Sequence, residues 1–437
     1  MTPHTEASTL SEWLGYIEEI HVSSMDLTLD RVKLVFERLL PEGVPFRVVT
    51  VAGTNGKGSC CAYLESILLA AGYSVGKYTS PHITRFNERI CLNGSMVDDE
   101  LVCAAFSRIE AARADVSLTY FEYTTLAALL VFAEQAVEVV VCEVGLGGRM
   151  DAVNILDPEV TIVTSIGLDH TQWLGDTREA IAMEKVAVAR PHSTCVIGEL
   201  DIPQVMLDYL VDNNSKACCL NQHFSVDLAD DDCWNIKRLI SNTPSEASTG
   251  VDSSGDYDYW VEGLPKPIIA ARHQYQNAAC ATMALLQTDL KVSAAHIHQG
   301  IENASIAGRC QILMAEPLVI VDVAHNKDSV EALYQFVVDQ KVKGDCYAVF
   351  SMLNDKDIEA CVACMAPLIS EWHIAPLNVP RASLVEDLRE VIHLNDPAIG
   401  ISEHSSVGQA YQILKKQVKS TDCLIVFGSF HVVGDII

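Results

Sequence analysis

Residues 50–59 read TVAGTNGKGS, and this stretch decides how the rest of the chain is interpreted. It follows a β-branched run and precedes a helix-length segment, so its glycines form a turn between a strand and a helix. Such glycines let backbone N–H groups wrap phosphate oxygens, the helix start adds about half a positive charge, and Lys57 can bridge terminal phosphates. We therefore predict a nucleotide-phosphate loop, although Gly58 separates Lys57 from Ser59, unlike the usual G-x-x-x-x-G-K-[ST] spacing. The alternative is a turn with a purely structural role.

Apolar runs of strand length alternate with helix-length segments on both sides of this loop. RVVTVAG, VVVCEVG and VTIVTSIG come first, and LVIVDVAHN, CYAVFSML and CLIVFGSF form a second series from about residue 311. This alternation indicates an α/β fold with parallel sheets. We predict a P-loop-type ATPase domain over residues 1–304 and a smaller, Rossmann-like α/β domain over 305–437. Residues 201–270 look less regular, and 241–258 are predicted to form a surface loop.

Composition restricts the class of protein. The chain has 30 basic and 58 acidic residues, and the formal net charge of −28 argues against a nucleic-acid partner. Its apolar runs are shorter than the roughly 18 residues that a membrane span needs. The first residues lack the basic and apolar regions of a secretory signal, so we expect a cytoplasmic protein. The 15 cysteines are then expected to be buried thiols, and the protein is expected to be a monomer.

The string GTNGKGS at 53–59 resembles the ATP loop of Mur ligases, and especially that of the bifunctional dihydrofolate synthase/folylpolyglutamate synthase family. Further segments resemble the same family in the same order along the chain. They are Thr79–His82 with Arg85 and Glu88–Ile90, Glu143–Asn154, Leu168–Gly175 with Glu184–Lys185, His273–Asn277, Gly308–Arg309, Asp322–Asn326 and Gly428–His431. Each motif is weak alone, but the ordered set is specific.

The resemblance implies an ATP site and two magnesium sites. The implied ATP-binding residues are Asn55, Gly56, Lys57, Gly58, Ser59, Asn277, Arg309, Asp322 and His325. Ser80 and Glu143 would hold one magnesium ion and His170 the other, with Lys185 as a carbamylated lysine that helps to hold the second ion. The catalytic residues would be Lys57, His170 and Lys185.

Each of these residues also has a plainer interpretation. Glu143 and His170 follow buried strands, and the carboxyl ends of parallel strands are where ligands bind. However, Ser80 is also typical of a turn, His170 of a loop histidine, and His325 of a helix cap. Lys185 is also typical of a solvated helix lysine; carbamylation requires a neutral amine, and therefore a depressed pKa.

A further set of residues matches positions that hold a dihydropteroate group in the family. The set is Met25, Asp26, Leu27, Thr119, Tyr120, Phe121, Glu122, Met150, Asp151 and Ala152. An aromatic ring such as that of Phe121 stacks on a flat heterocycle, and a carboxylate accepts paired N–H bonds from an aminopyrimidinone edge. The alternatives are that Phe121 belongs to the core and that Asp151 caps the next element.

The implied activity is ATP-dependent ligation of L-glutamate to dihydropteroate and to folates, through an acyl phosphate, with closure of the two domains bringing Arg309 and Asp322 onto the nucleotide. One rival is a ligase that only extends polyglutamate. A second is a muramyl ligase, against which we count the fifty or so residues ahead of Gly53 as too few for a nucleotide-sugar domain. A third is a non-catalytic nucleotide-binding protein, which would have lost Lys57, Glu143 or His170.

Overall fold

The structure is a computed structural model and describes residues 8–21, 26–228, 233–239, 259–269 and 271–437. The chain divides into two compact units. The first consists of Met1–Ser80, Asn87–Ile268 and Gln274–Ala304, and the second of Pro81–Phe86, Ile269–His273 and Ser305–Ile437. The predicted surface loop at 241–258 lies outside the described residues. Within the described ranges, the structure contains no helix that is long and apolar enough to cross a membrane.

The first unit is built around a mostly parallel sheet. In chain order, the elements up to residue 304 are α1 (Leu10–Glu19), α2 (Asp30–Leu39), β1 (Arg47–Ala52), α3 (Lys57–Ala70), β2 (Val75–Tyr78), a 3-10 helix (Phe86–Arg89), β3 (Ile90–Leu92), β4 (Ser95–Met96), α4 (Asp99–Arg113), α5 (Tyr120–Glu134), β5 (Val139–Glu143), a second 3-10 helix (Ala152–Ile155), β6 (Val160–Val163), α6 (Thr171–Leu174), α7 (Arg178–Val186), β7 (Thr194–Ile197), α8 (Gln204–Asp212), β8 (Lys216–Cys219), β9 (Phe224–Leu228), β10 (Cys233–Arg238), β11 (Tyr259–Pro265), α9 (Arg272–Leu286) and α10 (Ala294–Asn303). The first two residues of α9 belong to the second unit.

The large sheet has eight strands in the order β4-β3-β2-β5-β1-β6-β7-β8. Strands β2, β5, β1, β6, β7 and β8 are parallel, and β3 and β4 extend one edge in antiparallel fashion. The β-branched runs predicted as strands are β1, β5 and β6, and they are buried on both faces because helices cover both sides. Consequently the segments that follow β1, β2, β5 and β6 emerge at the same edge of the sheet.

The prediction that residues 201–270 are less regular is wrong for most of the described part. Helix α8 and strand β8 complete the large sheet, and β9, β10 and β11 form a separate antiparallel sheet in the order β11-β10-β9. Strand β10 alternates between buried and half-exposed side chains, β9 is mostly half-exposed, and the pairing of β10 with β11 is shifted by bulges. This weak alternation hid the strands in the sequence.

The second unit has the predicted α/β architecture with a Rossmann-like sheet. Its elements are β12 (Gln311–Met314), β13 (Leu318–Asp322), α11 (Lys327–Asp339), β14 (Cys346–Phe350), α12 (Ile358–Met365), β15 (Glu371–Ile374), α13 (Val385–Asn395), β16 (Gly400–Glu403), α14 (Val407–Gln417), β17 (Cys423–Phe427) and α15 (Phe430–Gly434). The sheet order is β12-β13-β17-β14-β15-β16, parallel except for β12. One apolar core lies under α11, α12 and α13, and another lies under α14 and α15.

All 15 cysteines are free thiols. Thirteen are buried, and only Cys233 and Cys364 are half-buried. The expectation of buried thiols is therefore confirmed, and Cys361 and Cys364 are not joined to each other.

Candidate active site

The glycine-rich loop connects β1 to α3 and has a backbone that only glycine adopts at two positions. Gly53 has φ +140 and Gly56 has φ +88. A Cβ atom on Gly53 would overlap the hydroxyl of Thr164, and one on Gly56 would lie 2.6 Å from Oδ1 of Asn277. Gly56 is also the N-cap of α3 and has no side chain with which to cap it. The first N–H groups of α3 are thus arranged as an anion-binding helix start.

The segment that follows β6 holds this loop in place. The backbone N–H of Asn55 donates to the hydroxyl of Ser165 at 3.0 Å, and the Thr164 hydroxyl donates to the carbonyl of Asn55 at 2.6 Å. The hydroxyl of Thr54 accepts from the N–H of Gly167 at 3.0 Å. Because β1 and β6 are adjacent and parallel, these bonds form as a direct result of the sheet order.

Two lysines converge on the carbonyl oxygen of Gly53. Nζ of Lys57 donates to it at 3.1 Å and also donates to the carbonyl of Thr54 at 3.1 Å. Nζ of Lys185 on α7 donates to the same Gly53 oxygen at 3.0 Å. Two amines that share one acceptor disfavour each other's charge, so at least one of them is driven toward the neutral form.

Lys185 is that amine. It is buried, with 5% of its surface exposed, so the interpretation as a solvated helix lysine is wrong. Burial, followed by the charge of Lys57, lowers its pKa from 10.5 to about 7, against the opposing effect of Asp169, Asp151 and Glu184. The structure thus supplies the depressed pKa that carbamylation requires.

Glu143 is the last residue of β5, and it lies beside the phosphate loop. Its carboxylate is buried, and Oε2 accepts the backbone N–H of Ser80 at 3.0 Å. A Cβ atom on Gly58 would lie 3.7 Å from the same oxygen. Ser80 follows β2, the neighbour of β5, so the sheet order brings these residues together. The residues proposed for the first metal ion therefore lie at the start of α3.

His170 lies in the loop after β6. Its backbone adopts the left-handed conformation with φ 52, and it precedes the single turn of α6. Its ring is half-buried, and Nε2 lies 3.9 Å from the carboxylate of Asp169, which also accepts the backbone N–H of His170 at 2.8 Å. A left-handed backbone at a non-glycine residue costs free energy. Such strain is typical of residues whose side chains are positioned for a function.

Residues of α9 approach the loop from the other side of α3. The buried hydroxyl of Ser59 accepts from Nε2 of Gln274 at 3.2 Å. The side chain of Asn277 is buried beside Gly56, and its Nδ2 has no hydrogen-bond partner among the described residues. A buried amide N–H that makes no bond to protein is costly, which favours a ligand acceptor at this position.

The predicted acceptor-binding residues at the start of α5 are close to the end of β5. The ring of Phe121 is half-buried, lies 6.0 Å from the ring of Tyr78, and is packed so closely on Gly145 that a Cβ there would meet it at 2.5 Å. Tyr120 is half-buried under the guanidinium of Arg89, 5.4 Å from its ring centre. Met150 is 37% exposed. The side chain of Phe121 is therefore only partly buried, so it is not a fully buried core residue.

Asp151 has the capping role that was the alternative interpretation. It is buried, Oδ1 accepts the N–H of Val153, and Oδ2 accepts the N–H of Leu146, both at 2.9 Å. Burial raises the pKa of Asp151 from 3.8 to about 6, and it outweighs the lowering effect of these N–H groups and of Lys57. Ala152 beside it is buried. Each carboxylate oxygen has a second lone pair that is available to a ligand. The role of Asp151 in binding the acceptor therefore stays a prediction.

Thr119 and Glu122 form a capping box that starts α5. Each side chain accepts the other's backbone N–H, at 3.2 Å for Thr119 and 2.7 Å for Glu122. Arg31 on α2 connects Glu122 to Asp26, and it was not predictable from the sequence because a lone helix arginine carries no motif. Leu27 is half-buried. Met25 lies outside the described residues.

The second unit holds the other predicted nucleotide residues. Asp322 ends β13, and its two oxygens accept the backbone N–H groups of Cys310 and Ala324, both at 2.6 Å. The guanidinium of Arg309 lies 5.1 Å from the ring centre of Phe430. His325 is half-buried, and its Nδ1 bonds the carbonyl of Val323 at 2.8 Å. These groups cluster at the carboxyl end of β13 and β17.

The residues at the first-unit site fit magnesium. Among the described residues, no three His, Cys, Asp or Glu side chains form a group that could hold a metal ion by themselves. Magnesium does not require one, because it binds through one or two carboxylates, substrate phosphates and several waters. Glu143 and the hydroxyl of Ser80 at the mouth of a phosphate loop provide oxygen ligands of that kind.

Comparisons with known proteins agree with this geometry. The family model described as "Mur ligase middle domain" matches residues 51–285, and "Mur ligase, glutamate ligase domain" matches 308–430. The dihydrofolate synthase/folylpolyglutamate synthase of Escherichia coli strain K12 is 40% identical over 431 residues, which cover 98% of this chain and 95% of the relative.

Two solved structures are similar over the full chain. E. coli FolC in complex with DHPP and ADP has a TM-score of 0.89 and 39% identity, and the match covers 100% of this chain and 98% of the other. A bifunctional folylpolyglutamate synthase/dihydrofolate synthase with Mn, AMPPNP and L-glutamate bound has a TM-score of 0.86, 38% identity and the same coverage.

The α/β units, the phosphate loop and the two family models define the chain as an ATP-dependent ligase of the Mur type. At 40% identity across nearly all of both chains, the finer relationship is also clear. The chain belongs to the dihydrofolate synthase/folylpolyglutamate synthase family.

Proposed function

We propose that this protein uses ATP to ligate L-glutamate to dihydropteroate and to tetrahydrofolyl-polyglutamates, through an acyl phosphate. The observation that carries the proposal is the group formed by the phosphate loop, Lys57, Lys185 and Glu143 at one edge of the large sheet. One of the similar solved structures is bound to DHPP and ADP and the other to AMPPNP and L-glutamate, which supports the same choice of substrates.

The phosphate loop would bind ATP largely through its backbone. The N–H groups of Gly56, Gly58 and Ser59 would face the phosphates at the start of α3, and Lys57 would move from the loop carbonyls to the terminal phosphates. Asn55 is assigned to the same ATP-binding loop, with its own N–H bonded to Ser165. The buried Nδ2 of Asn277 supplies one further donor to the nucleotide. In the second unit, Arg309, Asp322 and His325 are assigned to ATP binding.

We assign Ser80 and Glu143 to one magnesium ion, and His170 and carbamylated Lys185 to the other. When bound, the ions neutralise charge on the β- and γ-phosphate oxygens and lower the barrier to phosphoryl transfer. The carbamate is a carboxylate on a long stem, and burial of Lys185 suits it because the neutral amine attacks CO2.

The reaction then proceeds in two steps. The acceptor carboxylate attacks the γ-phosphorus of ATP, which gives an acyl phosphate and ADP. The free amine of L-glutamate attacks the acyl carbon, and inorganic phosphate leaves. Lys57 stabilises charge during the first step, and exclusion of water protects the acyl phosphate before the second.

The acceptor heterocycle is assigned to the start of α5 and the end of β5. The half-buried ring of Phe121 offers a stacking face, and Asp151 offers a carboxylate with unused lone pairs. The resemblance to the family assigns Asp26, Leu27, Thr119, Tyr120, Glu122, Met150 and Ala152 to the same acceptor site, together with Met25. We further propose that the protein is a cytoplasmic monomer, in keeping with its free thiols.

A phosphate-release assay tests the function. The wild-type protein receives ATP, magnesium and L-glutamate, with 7,8-dihydropteroate in one arm and tetrahydrofolate in the other, and Lys57→Ala serves as the inactive control. Release in both arms supports the bifunctional enzyme. Release with tetrahydrofolate alone means a folylpolyglutamate synthase only, and release in neither arm points to another Mur-type amide ligase.

A further inference from the structure

Arg31 is an arginine on α2 that joins two segments of the first unit. Its Nη1 donates to Oδ2 of Asp26 at 2.7 Å, and its Nη2 donates to the backbone carbonyl of Asp26 at 3.2 Å. The same Nη2 also donates to Oε1 of Glu122 at 3.1 Å. One guanidinium therefore binds both the side chain and the backbone of the segment before α2, together with the first turn of α5.

The surroundings of Arg31 are unusual for a surface ion pair. Its side chain is 21% exposed, Glu122 is buried, and the Nε group of Arg31 is buried without a hydrogen-bond partner among the described residues. His21 is a second basic group near Asp26, with Nε2 3.7 Å from Oδ2. A planar guanidinium with several donors suits two carboxylates, whereas a lysine amine offers a single point of charge.

The two segments that Arg31 joins are those assigned to the acceptor. Asp26 and Leu27 lie on one side of the guanidinium, and Glu122 lies next to Phe121 on the other. Glu122 is also the residue whose carboxylate caps Thr119, so Arg31 contacts the group that fixes where α5 begins. The orientation of the Phe121 ring depends on that first turn, because Phe121 is the second residue of the helix.

We propose that Arg31 is a positioning residue for the heterocyclic end of the acceptor: it clamps the Asp26–Leu27 segment to the first turn of α5 and so sets the affinity for dihydropteroate. The inference rests on the proposed function, since it requires that these segments bind the acceptor. Arg31 takes no part in phosphoryl transfer, so its loss acts on acceptor binding and leaves ATP binding intact.

The test compares steady-state kinetics of Arg31→Lys and Arg31→Gln with the wild type. We expect KM for dihydropteroate to rise about tenfold in both variants, because lysine cannot span two carboxylates, while KM for ATP stays within about twofold.

Arg113→Lys is the matched control. Arg113 is similarly buried and joins Glu110 and the Tyr16 hydroxyl, at 2.6 and 2.9 Å, and none of its hydrogen-bond partners among the described residues is an assigned acceptor residue. It should lower the thermal midpoint and leave KM for dihydropteroate unchanged. An equal rise of KM in Arg113→Lys, or an unchanged KM in both Arg31 variants, would overturn the positioning role.

The wild-type arm separates this inference from the proposed function. A wild-type protein that glutamylates dihydropteroate, with Arg31 variants of unchanged KM, overturns the role of Arg31 alone. A wild-type protein that does not use dihydropteroate overturns both proposals.

Discussion

Replacing Lys185 tests whether this buried amine has a chemical role. Lys185→Ala removes the amine, Lys185→Arg keeps a positive charge that cannot carry a carbamate, and Lys185→Glu restores a carboxylate on a shorter stem. If the carbamate helps to hold the second metal ion, Ala and Arg should both lower turnover by about 10²–10³. Lys185→Glu should recover a small part of the activity.

The pKa of Lys185 gives the magnitude of its reactivity. An amine with a pKa of 10.5 is about 0.1% neutral at pH 7.5, whereas one with a pKa of about 7 is about 75% neutral. Burial and the neighbouring Lys57 thus increase the reactive form by about 750-fold. Lys77 is a built-in contrast, because the attraction of Glu65 outweighs its burial and raises its pKa, so it remains protonated.

The assay is carbon-13 NMR of the folded protein in labelled bicarbonate near neutral pH, since carbamates decompose in acid. The wild type should give one carbamate signal from a buried lysine, Lys185→Ala should lack it, and Lys77→Met should keep it. Full turnover of Lys185→Ala, or a wild-type spectrum without the signal at saturating bicarbonate and magnesium-ATP, would refute the reasoning.

Three further predictions concern the phosphate loop, the Glu143 carboxylate and the capping carboxylate of Asp151. Lys57→Ala and Glu143→Ala should each lower phosphate release by about 10²–10³, with a double variant barely worse than either, and near-normal turnover of Glu143→Ala would remove it from the metal site. The folded-state pKa of Asp151 is raised from 3.8 to about 6, so its stabilising contribution is complete below pH 3.8 and is lost as pH rises through 6. The unfolding free energy of the wild type relative to Asp151→Asn should therefore fall by about 3 kcal/mol across that window in urea titrations, and a constant difference would contradict the assignment. Gly56→Ala should abolish ATP binding in calorimetry, whereas Gly72→Ala, with nearly the same φ but open space, should cost about 1 kcal/mol of stability and retain binding.

The fold was largely predictable because its strands are continuous β-branched runs. β1, β5 and β6 are buried on both faces, and this leaves a clear apolar signal of strand length. β9 and β10 were not predictable in the same way. Their side chains are half-exposed and partly polar, so local pattern did not separate them from a loop.

The candidate site was predictable as a set of positions but not as a set of contacts. Lys185 looks like a solvated lysine in EKVAVAR, and its burial arises from tertiary structure: the loop at Gly148 lies so close to α7 that a Cβ would meet the carbonyl of Glu184 at 2.5 Å. Its bond to Gly53 spans 132 residues of sequence. The clamp of Arg31 on Glu122 likewise spans 91 residues.

The distribution of thiols makes the native chain convenient for fluorescence spectroscopy. Maleimide dyes react with accessible thiolates, and among 15 cysteines only Cys233 and Cys364 are half-buried rather than buried. One belongs to each compact unit. Mild labelling of the native protein should therefore attach a donor and an acceptor dye without removing any other cysteine, and energy transfer between them would report the distance between the units as ATP is added.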